Sequence, residues 1–206
     1  MRERGPGGHI AAVRDEPIAW RGAARHMWAL LEQGNRRWAA GTSRRPRQDP
    51  EHRRQVAAGQ SPRAVVLSCI DSRVPPEVVF DAGLGDLLVV RTAAHTLDSL
   101  VTAAVQYGPQ DLRARLVVVL GHQRCGAVTA AARALRTRQT LPGELPAIVA
   151  ALEPAYATSD GQVEPMVRTH ILRTVARLRA DPILYAAATV IGAYYSLDTG
   201  LVSRVA

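Results

Sequence analysis

The sequence predicts an α/β fold: a central, mostly parallel β-sheet of four strands plus a short C-terminal edge strand, helices on both faces, and an N-terminal helical arm. Three observations predict it. Short apolar runs at 64–68, 86–90, 116–120 and 188–195 lack the alternation of a half-solvated sheet, so each reads as a strand buried on both faces. Segments of helical period separate these runs, as crossover connections of a parallel sheet require. A hydrophobic fraction of 47% in 206 residues suffices for one core and fits one domain.

The elements follow in order. Residues 1–20 carry no periodicity, and Pro6, Gly7 and Gly8 mark a flexible N-terminal arm, which leaves a single domain over 21–206. A helix is expected over 21–40, with Met27, Leu30, Leu31 and Trp38 near one stripe and Gly41 as its stop. An extended basic loop over 42–50 leads to a short helix over 51–58, closed by Gly59. After the first strand, Pro75 and Pro76 start a short helix, and the turn at Gly83–Gly85 enters the second strand. The helix over 98–107 takes Asp98 or Thr96 as its cap. The third strand precedes an Ala-rich helix over 126–138, a Pro- and Gly-marked loop, and helices near 147–156 and 162–180. The fourth strand ends in Asp198-Thr-Gly200, a hairpin turn into a last short strand over 201–205.

Composition narrows the function. The formal net charge is +8, and all 26 basic residues are Arg. Abundant Ala and Arg without Lys is the imprint of a GC-rich genome, which weakens a nucleic-acid reading of the charge. Arg44, Arg45, Arg47, Arg53 and Arg54 cluster, either as an anion patch or, the plainer reading, as a solvated loop and helix face. One Phe, three Trp and five Tyr leave little for base stacking, so no nucleic acid is expected as a partner. No apolar run approaches the ~20 residues of a membrane span, and the first residues lack the apolar stretch of a signal peptide. No membrane association and a cytoplasmic location are expected.

Both cysteines belong to one pattern. Cys69-Ile-Asp-Ser-Arg73 closes the first strand, and His122-Gln-Arg-Cys125 closes the third. In open α/β sheets, ligands bind beyond the carboxyl ends of strands. If the two strands are neighbours, Cys69, His122 and Cys125 converge as two thiolates and an imidazole, a natural shell for zinc. Cys125 is expected in the first turn of the following helix, where the dipole favours a thiolate. Asp71 is near enough for the fourth position, and Arg73 can pair with it. The competing reading makes the cysteines small buried apolar residues and His122 a turn cap. A structural zinc ribbon relies on two close ligand pairs, and only one is present.

The segment GQSPRAVVLSCIDSRVPPEVVFDAGLGDLLVVRTAAH, together with GHQRCGAV, resembles β-class carbonic anhydrases. The match extends upstream to NRRWAAG and downstream to Tyr195 through Gly200, roughly residues 35–201. The resemblance implies one zinc ion per subunit bound by Cys69, His122 and Cys125. It implies reversible hydration of carbon dioxide to bicarbonate and a proton by zinc-bound hydroxide. Asp71 and Arg73 become the catalytic pair, with Asp71 a fourth ligand only in a closed state. Gln60 corresponds to a substrate-binding glutamine. Leu88, Ala93 and Tyr107 match positions lining an apolar CO2 pocket across a subunit interface, and Gly126 matches a backbone position beside the substrate. The family implies a homodimer or a dimer of dimers.

The chain also departs from the family pattern. The common R-N-A-G-N reads Arg91-Thr-Ala-Ala94-His95, and the common G-H-S-x-C-G reads GHQRCG, with Gln123 and Arg124 between ligands. Members inhibited by bicarbonate carry Trp where Val66 stands, although Arg91 and Tyr195 match the rest of that set. An open site at neutral pH is therefore expected. His95 is read first as a packed residue and second as a proton shuttle. Two alternatives remain: hydrolysis of CS2 or COS on the same scaffold, and a non-catalytic zinc-stabilised module that binds anions or nucleic acid.

Overall fold

The computed structural model describes residues 18–206. The arm expected over 1–20 lies outside the described residues except at 18–20, which the first helix takes in. The order is α1 (Ile18–Ala39), α2 (Pro50–Gln55), β1 (Ala64–Cys69), α3 (Pro76–Val79), β2 (Leu87–Thr92), α4 (Ser99–Asp111), β3 (Leu116–His122), α5 (Gly126–Thr137), α6 (Leu145–Thr158), α7 (Val163–Arg179), α8 (Pro182–Ala187), β4 (Thr189–Tyr195) and β5 (Val202–Arg204). The sheet order is β2-β1-β3-β4-β5, parallel except for β5, which pairs antiparallel with β4.

Every residue of β1, β3 and β4 is buried, as unbroken apolar runs demand. Alternate side chains face two cores. Val65, Leu67, Val117 and Val119 pack with Val105, Val128, Leu152, Met166 and Ile171 from the helices of one face. Ala64, Val66, Leu116, Val118 and Leu120 pack with Trp28, Leu31, Val79 and Phe80 on the other. Each such buried Val or Leu contributes about 1.5–3 kcal/mol.

The buried stripe of α1 runs through Ala24, Trp28, Leu31 and Asn35, so the expected stripe was right at Leu31 and missed Trp28. Asn35 is buried yet fully used. Its amide donates to the carbonyls of Val79 (3.1 Å) and Gly200 (2.8 Å), and its oxygen accepts from the Val202 N–H (2.7 Å). This joins α1 to the C-terminal hairpin. Gly34 is required there, because a Cβ would stand 1.8 Å from the Phe80 carbonyl oxygen.

The basic loop is structural over much of its length. Asp81 accepts from Arg37 Nε (2.6 Å) and from the N–H groups of Arg44 (3.0 Å) and Arg45 (2.9 Å). Asp86 holds Arg47 and the Gly83 N–H, and Arg54 pairs with Glu51. Of the five clustered arginines, Arg47 and Arg54 have carboxylate partners, while Arg44 and Arg45 enter these contacts through backbone N–H groups. The expected helix and strand boundaries hold within a few residues, and α8, capped by Asp181, was not anticipated. Among the described residues, no helix is long and apolar enough to cross a membrane.

One edge of the sheet is unusual. Among the described residues β2, which carries Leu87-Leu-Val-Val90, pairs only with β1, and all six of its residues are half-buried. Leu100 (80% exposed) and Tyr107 (49% exposed) on α4 add apolar surface.

Candidate active site

Parallel pairing of β1 with β3, Ser68 opposite Leu120, brings both strand ends to the same side of the sheet. Cys69 is the last residue of β1 and His122 the last of β3. Arg124, with φ of 51°, turns the chain so that Cys125 occupies the N-cap of α5. The expected convergence is observed: the ligand atoms of Cys69, His122 and Cys125 lie within 4.8 Å of one another, and all three residues are buried.

The donor set fits zinc. The two sulfurs are 3.9 Å apart, close to the ~3.8 Å that two Zn–S bonds of 2.3 Å subtend at a tetrahedral angle. His122 Nδ1 faces the Gln123 carbonyl oxygen at 3.0 Å, so the ring donates there and directs the Nε2 lone pair inward. That Nε2 is buried and has no hydrogen-bond partner. Cys69 Sγ accepts from the N–H groups of Asp71 (3.4 Å) and Ala94 (3.3 Å). The neighbouring Cys125 thiol, then His122 and these N–H groups, hold the Cys69 thiol well below its ordinary value against the opposing effect of burial. The same pairing and burial push Cys125 up.

Asp71 and Arg73 lie at the mouth of this cluster. Arg73 Nε donates to Asp71 Oδ1 (2.9 Å) and Nη2 to Oδ2 (2.6 Å), while the Arg73 N–H also reaches Oδ1 (2.9 Å). These bonds hold the Asp71 carboxyl down to about 2, so it is ionised at neutral pH. Asp71 Oδ2 is 3.9 Å from His122 Nε2.

Sequence reasoning did not foresee how this loop is supported. Arg91 donates to the carbonyls of Cys69 (2.8 Å) and Asp71 (2.6 Å). Tyr195 Oη accepts from Trp38 Nε1 at 3.1 Å. Ala94 and His95 are both left-handed, with φ of 52° and 49°. A glycine would take that conformation freely, whereas each L-residue costs roughly 1–2 kcal/mol. The strained turn aims the Ala94 N–H at Cys69. Gln123 and Arg124 reach Asp198, through Gln123 Nε2 (2.7 Å) and Arg124 Nη2 (2.5 Å).

The candidate substrate residues do not all meet within one chain. Ala93 adjoins the Ala94 turn, and Gly126 follows Cys125 with open space where a Cβ would stand. Gln60 is exposed ahead of β1, and Leu88 pairs with Val65 near the start of that strand. Five residue steps separate the first residue of β1 from Cys69, about 16–17 Å, and four separate Val65 from it, about 13 Å. Tyr107 lies eight residues along α4 from Ser99.

His95 is packed, in line with its first reading. It is 2% exposed, neither ring nitrogen has a hydrogen-bond partner, and its ring lies 4.6 Å from that of His170. A shuttle needs a polar route to solvent, which this ring lacks. Burial lowers both rings; the charges of His170 and His122 add to the effect on His95. His170 falls to about 4, with Arg173 adding and the Ala94 backbone opposing. Folded His170 therefore stays neutral while the unfolded chain takes up a proton as pH drops below ~6.5. Stability should fall between pH 6.5 and about 4 by up to roughly 3 kcal/mol from this group. Urea unfolding at several pH values should give a shallower decline for His170→Gln than for the wild type; equal slopes would refute the assignment.

Comparison with known proteins agrees with this geometry. A sequence model of the family described as carbonic anhydrase matches residues 64–202. The chain belongs to the β-class carbonic anhydrase family. Carbonic anhydrase 2 of Mycobacterium tuberculosis is 39% identical over 183 residues, covering 84% of this chain and 88% of that protein. The carbonic anhydrase of Mycolicibacterium smegmatis is 36% identical over 185 residues, covering 85% and 90%. Among solved structures, a Coccomyxa β-carbonic anhydrase in complex with acetazolamide aligns with a TM-score of 0.67 at 24% identity, over 85% of this chain and 84% of that one. A tetrameric β-carbonic anhydrase of Sordaria macrospora aligns with a TM-score of 0.67 at 22% identity, over 88% and 96%. The β-carbonic anhydrase fold thus extends over most of the chain.

Proposed function

We propose that this protein catalyses the reversible hydration of carbon dioxide to bicarbonate and a proton, in the cytoplasm, with one zinc ion per subunit held by Cys69, His122 and Cys125. The observation that carries the reading is the doubly bonded Asp71–Arg73 pair, 3.9 Å from the unpartnered His122 Nε2. A purely structural metal needs no ionised carboxylate held beside it by an arginine.

Zinc bound here lowers the pKa of a water towards ~7 and supplies a hydroxide nucleophile at neutral pH. Asp71, ionised, accepts a hydrogen bond from the nucleophile's proton and turns an oxygen lone pair towards the carbon of CO2. Arg73 occupies both Asp71 oxygens, which keeps the carboxylate away from the metal ligands. Ala93 and Gly126 offer a small, weakly polar wall that suits a molecule without a net dipole.

The rest of the substrate set comes from a second copy of the chain. Gln60 and Leu88 stand at the far end of β1 from their own Cys69, and the apolar β2 edge is the kind of surface that proteins cover rather than leave to water. In a homodimer, or a dimer of dimers, the partner's Gln60 would donate its amide to bicarbonate, and Leu88 and Tyr107 would complete the apolar pocket. The test is CO2-driven acidification by the zinc-loaded protein, with and without a chelator. Rapid acidification abolished by the chelator is expected; a zinc-replete sample that does not accelerate acidification would refute the reading.

A further inference from the structure

The turn between His122 and Cys125 is gripped from outside the metal cluster, and one grip has no part in the reaction just described. Arg124 is left-handed, with φ of 51°. Its N–H donates to Glu164 Oε1 at 2.7 Å, and its carbonyl accepts from Arg73 Nη2 at 3.2 Å. Glu164 stands in the first turn of α7, and its second oxygen accepts from the Tyr194 hydroxyl. The Arg168 guanidinium lies 4.0 Å over the Tyr194 ring.

We infer that Glu164 is a positioning residue for the Asp71–Arg73 pair, acting through the Arg124 peptide. Arg73 is half-exposed on a long, flexible stem, and its contact with Asp71 alone would let both side chains swing together. The Arg124 carbonyl is the anchor on the opposite strand end that stops this motion. The carbonyl points at Arg73 only while Arg124 keeps a backbone conformation that L-residues disfavour. The charge-assisted bond from the Arg124 N–H to Glu164 holds that conformation. Tyr194, itself part of β4, fixes the carboxylate in turn.

The inference rests on the reading of Asp71 and Arg73 as the catalytic pair. Its test uses the full chain, loaded with zinc for kinetics and with cobalt(II) for the visible spectrum. Glu164→Ala should lose about 10- to 100-fold in kcat with KM unchanged and one metal per chain retained. Its cobalt spectrum should change at a pH where the wild type's is constant, because the released Asp71 carboxylate reaches the metal. Glu164→Gln, whose amide oxygen still accepts from the Arg124 N–H, should restore both kcat and spectrum. Tyr194→Phe keeps the ring, frees one Glu164 oxygen, and should show the same spectral change at smaller amplitude. Wild-type kcat and spectrum in Glu164→Ala and Tyr194→Phe would overturn the inference. So would equal impairment of the Ala and Gln variants with a lowered Tm, which marks a merely structural role. A wild type inactive on CO2 whose Glu164→Ala variant still changes the cobalt spectrum would sink the proposed reaction and leave the clamp standing.

Discussion

Asp71→Asn should retain one zinc per chain and lose at least about 100-fold in the kcat of CO2 hydration, in the range that a positioned proton-handling group supplies. That loss corresponds to about 2.7 kcal/mol of transition-state stabilisation. Metal should stay because the buried cluster of Cys69, His122 and Cys125 does not include the Asp71 side chain. Turnover should fall because the amide replaces an anionic acceptor with a group whose NH2 faces the Arg73 donors. With the amide oxygen in the Oδ1 place, the bonds from the Arg73 N–H and Nε survive and the one from Nη2 is lost. The native carboxyl titrates at about 2, so the wild type is ionised throughout the neutral and alkaline range, and raising the pH should not rescue the variant. Stopped-flow hydration with metal analysis of the same sample checks both halves. Undiminished activity in a zinc-replete variant would break the assigned role of Asp71.

Cys125→Ser should abolish zinc retention and activity together. The hydroxyl fits the space of the thiol but stays protonated at neutral pH, so the site loses one of its two sulfur ligands and the charge that goes with it. Changes to groups that only support a ligand cost 10- to 100-fold in metal affinity, so losing a ligand should cost more than about 100-fold. Because metal binds the folded site and not the open chain, the variant should also lose the stabilisation that added zinc gives the wild type. Dialysis against graded chelator, followed by zinc analysis and thermal unfolding, measures both. A variant that keeps one zinc per chain and full turnover would remove Cys125 from the ligand set.

Much of the fold was legible in the sequence because β1, β3 and β4 are apolar runs buried on both faces; β2, expected to be the same, is half-buried at the sheet edge. The ends were less legible. β2 continues through Arg91 and Thr92, two polar residues that look like loop, because Arg91 spends its guanidinium on the carbonyls of Cys69 and Asp71. The helix α8 was missed although Asp181-Pro182 is a start signal, since six residues are too few to show a period. The convergence of Cys69, His122 and Cys125 was legible because two short motifs close two neighbouring strands. Glu164 was not, because its bond to the Arg124 N–H crosses 40 residues and leaves no spacing to read. Ala94 showed only as a departure from glycine; its backbone angle supplies the physical meaning.

The Asp198 carboxylate reaches back 75 residues to Gln123 and 74 to Arg124, the two residues between His122 and Cys125. These three residues therefore form one bonded block. Gln123→Ser would release one Asp198 oxygen to water, and Asp198→Ala would release both donors. The turn at Asp198 and the loop between His122 and Cys125 are therefore held as one unit across more than 70 residues of chain.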